Sequence, residues 1–213
     1  MVRISTVEEL QKAVDHLVRI EPKFRAIVLR HGLPSLRHSE PGLASLLRIV
    51  TDQLISLKAG EAIWKRLAAH LAPFEPDAII ACGYDQLKAL GLSGAKARCF
   101  LAAAEGYASG QIDNDVLARL SADEAAEHLM AIRGVGPWTA DIYLLSALQV
   151  ADAWPAADLA LQVAAQELLH LPVRPSSKDM IAMASGWRPY RAAAARLLWS
   201  HYRGLKQMPQ API

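Results

Sequence analysis

The 213-residue sequence lacks the residue patterns that mark several kinds of metal site. It has two cysteines, Cys82 and Cys99, without CxxC spacing, and an iron–sulfur cluster needs more thiolates than these. Both cysteines lie in apolar stretches, so we expect buried free thiols in a reducing cytoplasm in preference to a disulfide. The seven histidines show neither HxH nor HExxH spacing, which argues against a catalytic zinc site.

Long apolar runs and strand-like alternation are scarce as well. No apolar run reaches the roughly 18 residues that a membrane span needs, and the N-terminal residues MVRISTVEELQK lack the apolar core of a secretory signal. We therefore expect a cytoplasmic protein without a membrane partner. Alternation with a period of two is almost absent and no repeat of fixed period is visible, so the sequence predicts an all-α fold.

Helix boundaries are marked by side chains that cap helices. Capping boxes at Thr6–Glu9 and Ser121–Glu124 predict two helix starts. Apolar spacing predicts helix from residue 43 to residue 71 with a break near 56–59, and separate helices over 76–81, 84–90, 94–109 and 113–118. Proline and polar residues separate the later helices.

A tight Gly-Val-Gly turn at 134–136 lies between two of the predicted helices. Gly134 is suited to the left-handed position that ends a helix, and Pro137 to the first turn of the next one. The backbone N–H groups and the positive dipole end of that second helix form a natural phosphate site, to which Thr139 adds a hydroxyl donor. A purely structural αα-hairpin can also use glycines in this way.

Asp158 follows about twenty residues later, in the run Trp-Pro-Ala-Ala-Asp-Leu at 154–159. An ionised carboxylate at a helix start is stabilised by the helix dipole and by backbone N–H groups. Catalysis and simple helix capping are both compatible with that position, because aspartate is a preferred N-cap residue.

Basic residues are concentrated near the C-terminus, although the net charge is only +2. Residues 171–213 hold seven lysines or arginines against one acid, Asp179. The basic residues are Arg174, Lys178, Arg188, Arg191, Arg196, Arg203 and Lys206. Such a segment suits a surface that faces a polyanion, and it is equally typical of a solvated helix face.

Several motifs in this order resemble a known family. Leu129-x-x-Ile132-x-Gly134-Val135-Gly136-x-x-x-Ala140 is similar to the helix-hairpin-helix DNA-binding motif, and the spacing to Asp158 is similar to that of the helix-hairpin-helix DNA glycosylases. The runs at 136–140, 154–159 and 187–191 resemble the 3-methyladenine DNA glycosylase II (AlkA-like) branch. Weaker similarity at 52–56 and 91–97 extends the resemblance over most of the chain.

The resemblance implies a fold of two helical lobes with the active site in a cleft between them. The expected central bundle spans residues 43–150 and contains the hairpin. Residues 1–42 and 151–213 are expected to form the second lobe.

The resemblance also implies the chemistry. Asp158 would be the catalytic carboxylate that stabilises an oxocarbenium-like transition state. Trp138 stands where lyase-active relatives carry a lysine, so no Schiff base with the sugar is expected. Trp138 and Trp187 align with aromatic residues of the base pocket, although tryptophans in helices are usually core residues. Ile142 departs from relatives that have an aromatic residue there, which leaves the shape of the pocket open.

Contacts with DNA are implied for a further set of residues. Gln53 and Leu54 align with the wedge that enters the minor groove, for which a buried core leucine is the alternative. Lys58 and Lys96 are candidate phosphate contacts. The hairpin carbonyls of Met130, Ile132 and Val135 are candidate ligands of a structural Na⁺ or K⁺ ion, and no cofactor is expected to be required.

We therefore expect a monomeric, monofunctional DNA glycosylase, nucleoid-associated if the source is bacterial. It would act on damaged double-stranded DNA, removing 3-methyladenine and 7-methylguanine after base flipping, in base excision repair. The alternatives are a bifunctional glycosylase/lyase, against which Trp138 argues, and a non-catalytic helix-hairpin-helix DNA-binding protein. Asp158 discriminates against the second, because a pure DNA binder needs no carboxylate facing an anionic backbone.

Overall fold

The computed structural model describes residues 1–36 and 38–207, and residues 208–213 of the expected second lobe lie outside the described part. Its α-helices are α1 (Val7–Ile20), α2 (Phe24–His31), α3 (Leu43–Asp52), α4 (Leu57–Leu71), α5 (Pro76–Ala89), α6 (Gly94–Ala108), α7 (Asn114–Arg119), α8 (Ala122–Met130), α9 (Pro137–Ser146), α10 (Leu159–Leu169), α11 (Ser177–Ala184) and α12 (Arg191–Leu205). A 3₁₀ turn, Ser185–Trp187, precedes α12. Only an isolated bridge between Arg3 and Val150 has β geometry among the described residues, so the all-α prediction is confirmed.

The chain divides into two compact units. Among the described residues, the terminal unit falls within Met1–His38 and Leu148–Ile213, and the central unit is Ser39–Ala147. The terminal unit contains α1, α2 and α10 to α12, and the central unit contains α3 to α9. No helix within the described residues is long and apolar enough to cross a membrane.

In the terminal unit, α12 packs against α10, α2 and α1. Its small side chains at 192–195 are buried together with Leu197 and Leu198. A run of alanines lets neighbouring helices approach closely on more than one face, which is why this helix is buried nearly all round. Phe24, Trp154 and Trp187 form an aromatic cluster in the same unit, with edge-to-face contacts of 5.2 Å and 5.5 Å between ring centroids.

In the central unit, α3 packs against α4, α6 and α9, and α8 packs against α9. The apolar face of α3 is buried through Leu46, Leu47 and Val50, and Phe100 of α6 and Tyr143 of α9 are buried with it. This packing fixes the C-terminal end of α3 and the start of α9, the two places where the sequence predicts contacts with DNA.

The capping boxes predicted at Thr6 and Ser121 are both present, each with its two reciprocal hydrogen bonds. The break predicted near 56–59 lies earlier, at residues 53–56. Its position follows from Ser56, whose side chain accepts a hydrogen bond from the Ala59 N–H and thereby begins α4 at Leu57. The two helices predicted over 76–90 form α5, which is kinked at Gly83, where φ is 71°.

Both cysteines are free thiols, as expected, but only Cys99 is fully buried. Burial raises the pKa of Cys99 to about 11 and also raises the pKa of the half-buried Cys82. Both thiols are therefore neutral at neutral pH.

Candidate active site and DNA contacts

The predicted hairpin joins α8 to α9 within the central unit. The Val135 N–H donates to the Ile132 carbonyl at 3.0 Å and closes the turn. Gly134 has a φ of 96°, and a Cβ atom added to it would lie 2.9 Å from Cβ and 3.1 Å from Sγ of Cys99 on α6. This position therefore requires glycine for two reasons, its left-handed backbone conformation and its close approach to α6.

Gly136 plays a different part in the same turn. It is the N-cap of α9 with a φ of −101°, and a Cβ atom there would meet nothing within 4 Å. No side chain caps this helix start, whereas serines cap α4, α6 and α8. The positive end of the α9 dipole is therefore not screened by a capping side chain, which suits an anion such as a phosphate.

Thr139 does not fit its predicted role as a phosphate donor. Its side chain is 2% exposed, and its hydroxyl accepts a hydrogen bond of 2.6 Å from Nε2 of Gln53. The structure thus corrects the prediction: Thr139 joins α9 to the segment after α3, because packing buries the hydroxyl inside the central unit. Gln53 is a partner in this contact, and it is half-buried at the C-cap of α3.

Leu54 is fully exposed, with a relative accessibility of 104%. Its φ is 54°, in the left-handed region that leucine rarely adopts. Ile55 and Leu57 beside it are exposed as well, by 37% and 60%. The alternative of a buried core leucine is therefore wrong, and the placement is compatible with an apolar wedge.

The two candidate lysines have different surroundings. Lys58 is exposed in the first turn of α4, where it is accessible to an anion. Lys96 donates from Nζ to the carbonyls of Thr51 and Gln53, both at 2.7 Å. Burial lowers the pKa of Lys96, and the charge of Asp52 opposes that effect. Two of its three ammonium protons are thus used within the central unit, which favours a structural role for Lys96, and the phosphate contact stays a prediction.

Asp158 lies in the terminal unit as the N-cap of α10. Its Oδ1 accepts two hydrogen bonds, from the Leu161 N–H at 3.0 Å and from the indole N–H of Trp199 at 3.1 Å. The side chain is half-buried. A carboxylate held in this way by a helix start and an indole has a fixed orientation, as a catalytic group requires.

Two arginines fix the segment that leads to Asp158. Arg188 donates to Oδ2 of Asp152 at 2.6 Å, and Arg191 donates to Oδ1 at 2.8 Å and to the Asp152 carbonyl at 2.8 Å. Arg196 is 5% exposed and donates to the Ser35 carbonyl at 3.3 Å. Three of the seven C-terminal basic residues thus make hydrogen bonds within the terminal unit. The count of seven therefore overstates the positive charge available to a polyanion.

Trp199 is a residue that the sequence reasoning missed. It lies on α12, 41 residues after the carboxylate that it contacts. No local motif joins the two positions, because α10 and α12 come together only through tertiary packing. The one sequence feature that could have identified Trp199 is that it is a tryptophan in a helix of small side chains. A tryptophan packed in the core would explain that feature equally well.

The two predicted pocket tryptophans also differ. Trp138 is half-buried in the first turn of α9, and Ile142 is half-buried one turn later on the same face. Trp187 is 6% exposed and packs edge-to-face against Phe24 and Trp154. The structure therefore favours a core role for Trp187 over a wall of the base pocket, and the pocket role of Trp138 stays a prediction.

Known proteins resemble this chain along most of its length, although no family model matches it. The chain is 31% identical over 201 residues to DNA-3-methyladenine glycosylase 1 of Schizosaccharomyces pombe, covering 91% of this chain and 88% of that protein. The solved structure of the S. pombe 3-methyladenine DNA glycosylase Mag1 in complex with abasic DNA matches with a TM-score of 0.82 at 27% identity, over 92% of this chain and 97% of that one. A DNA-3-methyladenine glycosidase from Bacillus halodurans matches with a TM-score of 0.79 at 25% identity, over 97% and 95% of the two chains.

Proposed function

Since the chain belongs to the AlkA-like branch of the helix-hairpin-helix DNA glycosylases, we propose that it is a monofunctional enzyme that removes alkylated purines from duplex DNA. The reaction is hydrolysis of the N-glycosidic bond, with 3-methyladenine and 7-methylguanine as the first substrates, and the enzyme acts as a monomer. The observation that carries this proposal is the fixed carboxylate of Asp158 at the start of α10.

Asp158 supplies charge where the reaction develops it. As the bond between base and sugar breaks, positive charge grows on the sugar, and an ionised carboxylate beside it stabilises the transition state. The hydrogen bonds from Leu161 and Trp199 hold Oδ1, so little reorganisation is needed during the reaction. The same carboxylate orients the attacking water.

The base has to leave the helical stack before it can react. Leu54 is the apolar group that fills the space left in the stack, and its full exposure on a short turn supports this role. Trp138 offers an aromatic face to the extruded base. N-alkylation leaves the purine ring cationic, which adds a cation–π attraction to the stacking.

The hairpin binds the DNA backbone through the start of α9, where Gly136 leaves room for a phosphate. The carbonyls of Met130, Ile132 and Val135 would hold Na⁺ or K⁺. These neutral oxygens suit a monovalent cation, and the Ile132 carbonyl has a second lone pair beyond the one that the Val135 N–H engages. Such an ion would add positive charge at the phosphate site when bound.

The absence of lyase chemistry follows from Trp138. An indole has no basic amine, so it cannot form a Schiff base with the opened sugar. The product is therefore an abasic site in an unbroken strand.

The test compares the wild-type protein with Asp158→Asn on methylated duplex DNA. Asparagine retains an Oδ1 acceptor for Leu161 and Trp199, so it removes the charge and leaves the local fold in place. We expect the wild type to release 3-methyladenine and 7-methylguanine, measured by chromatography, and the variant to bind DNA with release slowed by roughly 100-fold or more. Asp15→Asn, at an exposed acid on α1 of the same unit, is the matched control and retains activity.

Three other outcomes would contradict the proposal. Full activity of Asp158→Asn would refute the catalytic assignment. A nicked strand with an adduct trapped by borohydride would indicate a bifunctional glycosylase/lyase. Tight DNA binding by the wild type without any base release would indicate a non-catalytic DNA-binding protein.

A further inference from the structure

The turn that carries Leu54 has little of its own to hold it in shape. This wedge turn, residues 53–56, lies between the last residue of α3 and the first residue of α4. The Leu54 side chain is fully exposed and its φ is 54°, so neither packing of that side chain nor backbone preference stabilises the conformation. The last turn of α3 has no basic residue to interact with its C-terminal carbonyls.

Lys96 supplies the missing positive charge from another helix. It lies in the first turn of α6, and its Nζ donates to the carbonyls of Thr51 and Gln53, both at 2.7 Å. These two carbonyls belong to the end of α3 and to the residue immediately before Leu54. One ammonium group therefore ties the end of the helix to the first residue of the wedge turn.

A second side chain anchors the same turn. Gln53 donates from Nε2 to the hydroxyl of Thr139 at 2.6 Å, and Thr139 is 2% exposed on α9. Since α9 begins at the hairpin, this contact connects the wedge turn to the helix whose start is assigned to phosphate binding. The backbone of Gln53 is thus held by α6 and its side chain by α9, all within the central unit.

We propose that Lys96 is a positioning residue that holds the wedge turn in the conformation that projects Leu54, acting through the Gln53 carbonyl and together with the Gln53–Thr139 hydrogen bond. The proposal rests on the proposed function, because it requires Leu54 to be the wedge. It assigns Lys96 to base extrusion and gives it no contact with DNA.

A positioning lysine and a phosphate-binding lysine behave differently in salt. Loss of one phosphate contact reduces the slope of log K against log salt concentration by about 0.9 for duplex DNA. Lys96→Met should leave this slope unchanged, whereas Lys58→Met, at the exposed lysine, should reduce it. The readout is the binding constant of an abasic-analogue duplex at several salt concentrations.

The main experiment measures single-turnover excision of 7-methylguanine from duplex and from single-stranded oligonucleotides. A single strand needs no wedge, so Lys96→Met should slow excision from the duplex by roughly 10-fold, the effect of losing charge-assisted hydrogen bonds, and leave single-strand excision near wild type. Lys65→Met, at an exposed lysine of α4 that pairs with Glu61, is the control and leaves both rates unchanged. Lys96→Gln retains one amide donor and gives an intermediate loss, so it replaces Lys96→Met if methionine prevents folding.

A double-mutant cycle with Leu54→Ala completes the test. Without a leucine to position, Lys96→Met should have no further effect on duplex excision. Three results would each overturn the proposal. The first is that the rate losses of Lys96→Met and Leu54→Ala multiply in the double variant. The others are that Lys96→Met slows excision equally on duplex and single strand, or that it reduces the salt slope of binding. If Leu54→Ala itself excises from duplex as fast as the wild type, the wedge role in the proposed function fails and the role of Lys96 fails with it.

Discussion

Exchange of the first hairpin glycine for alanine should destabilise the central unit through two separate effects. Gly134 has a φ of 96°, where an L-residue costs about 1–2 kcal/mol. The added methyl group would lie 2.9 Å from Cβ and 3.1 Å from Sγ of Cys99, and overpacking of this kind costs about 1–3 kcal/mol. Gly134→Ala should therefore lower the free energy of unfolding by about 2–5 kcal/mol, or the melting temperature by roughly 4–20 °C.

The second hairpin glycine is the matched control. Gly136 has a negative φ and open space around its missing Cβ, so Gly136→Ala should change the free energy of unfolding by less than about 1 kcal/mol. A methyl group at the start of α9 should instead weaken DNA binding, because it occupies the space assigned to a phosphate. We therefore expect the pair to separate an effect on folding, at Gly134, from an effect on DNA binding, at Gly136.

Urea unfolding followed by circular dichroism measures the first effect, and binding of an abasic-analogue duplex measures the second. Repeating Gly134→Ala in a Cys99→Gly background removes both close contacts and should reduce its cost to about 1–2 kcal/mol, the backbone term alone. If Gly134→Ala is as stable as the wild type, neither effect operates. If it costs the same in both backgrounds, the contact with Cys99 contributes nothing.

Two further predictions concern the terminal unit. Trp199→Phe keeps an aromatic ring and removes the N–H donated to Asp158, so kcat for base release should fall by about 10- to 100-fold, the value of a hydrogen bond to a charged group. An unchanged kcat would mean that the indole does not orient the carboxylate. His31 has its pKa lowered from 6.5 by burial, then by the charges of Arg30, His201 and Arg203, so the unfolded chain binds its proton more readily than the folded one. The free energy of unfolding should therefore decrease as pH falls through about 6.5. In His31→Gln, the urea midpoint should decrease less between about pH 7.5 and pH 5.5 than in the wild type. An equally steep decrease in the variant would contradict this.

Local signals were sufficient for much of the fold. Hydrophobic period and capping side chains predicted an all-α chain and located helix starts at Thr6 and Ser121, because these features depend on residues within one turn of each other. The break after α3 lies a few residues before its predicted position, because apolar residues continue through the turn even though its Leu54 is exposed. The residue at which a helix begins depends on a single capping side chain such as that of Ser56, and hydrophobic periodicity contains no information about that side chain.

The candidate site was predicted less evenly. Asp158 and the hairpin glycines stand in continuous motifs, so their positions were readable from the chain. The roles of Thr139, Lys96 and Trp187 were not, because a hydroxyl, an ammonium group or an indole has the same identity on a surface and in a packed interior. Each of the three is engaged by a partner from another element, at Gln53, at the end of α3 and at Trp154 respectively.

Motifs and periodicity along the chain were enough to predict the fold class, the family and the residue types at the candidate site, including a tryptophan where the resemblance implies a lysine in lyase-active relatives. The packing of the helices is what leaves some of those residues exposed and engages others internally. It exposed Leu54, buried Thr139, turned Lys96 toward two carbonyls and brought Trp199 to Asp158. This difference arises because burial and hydrogen-bond partners come from contacts between helices distant in the chain, whereas motifs and periodicity depend only on neighbours along it.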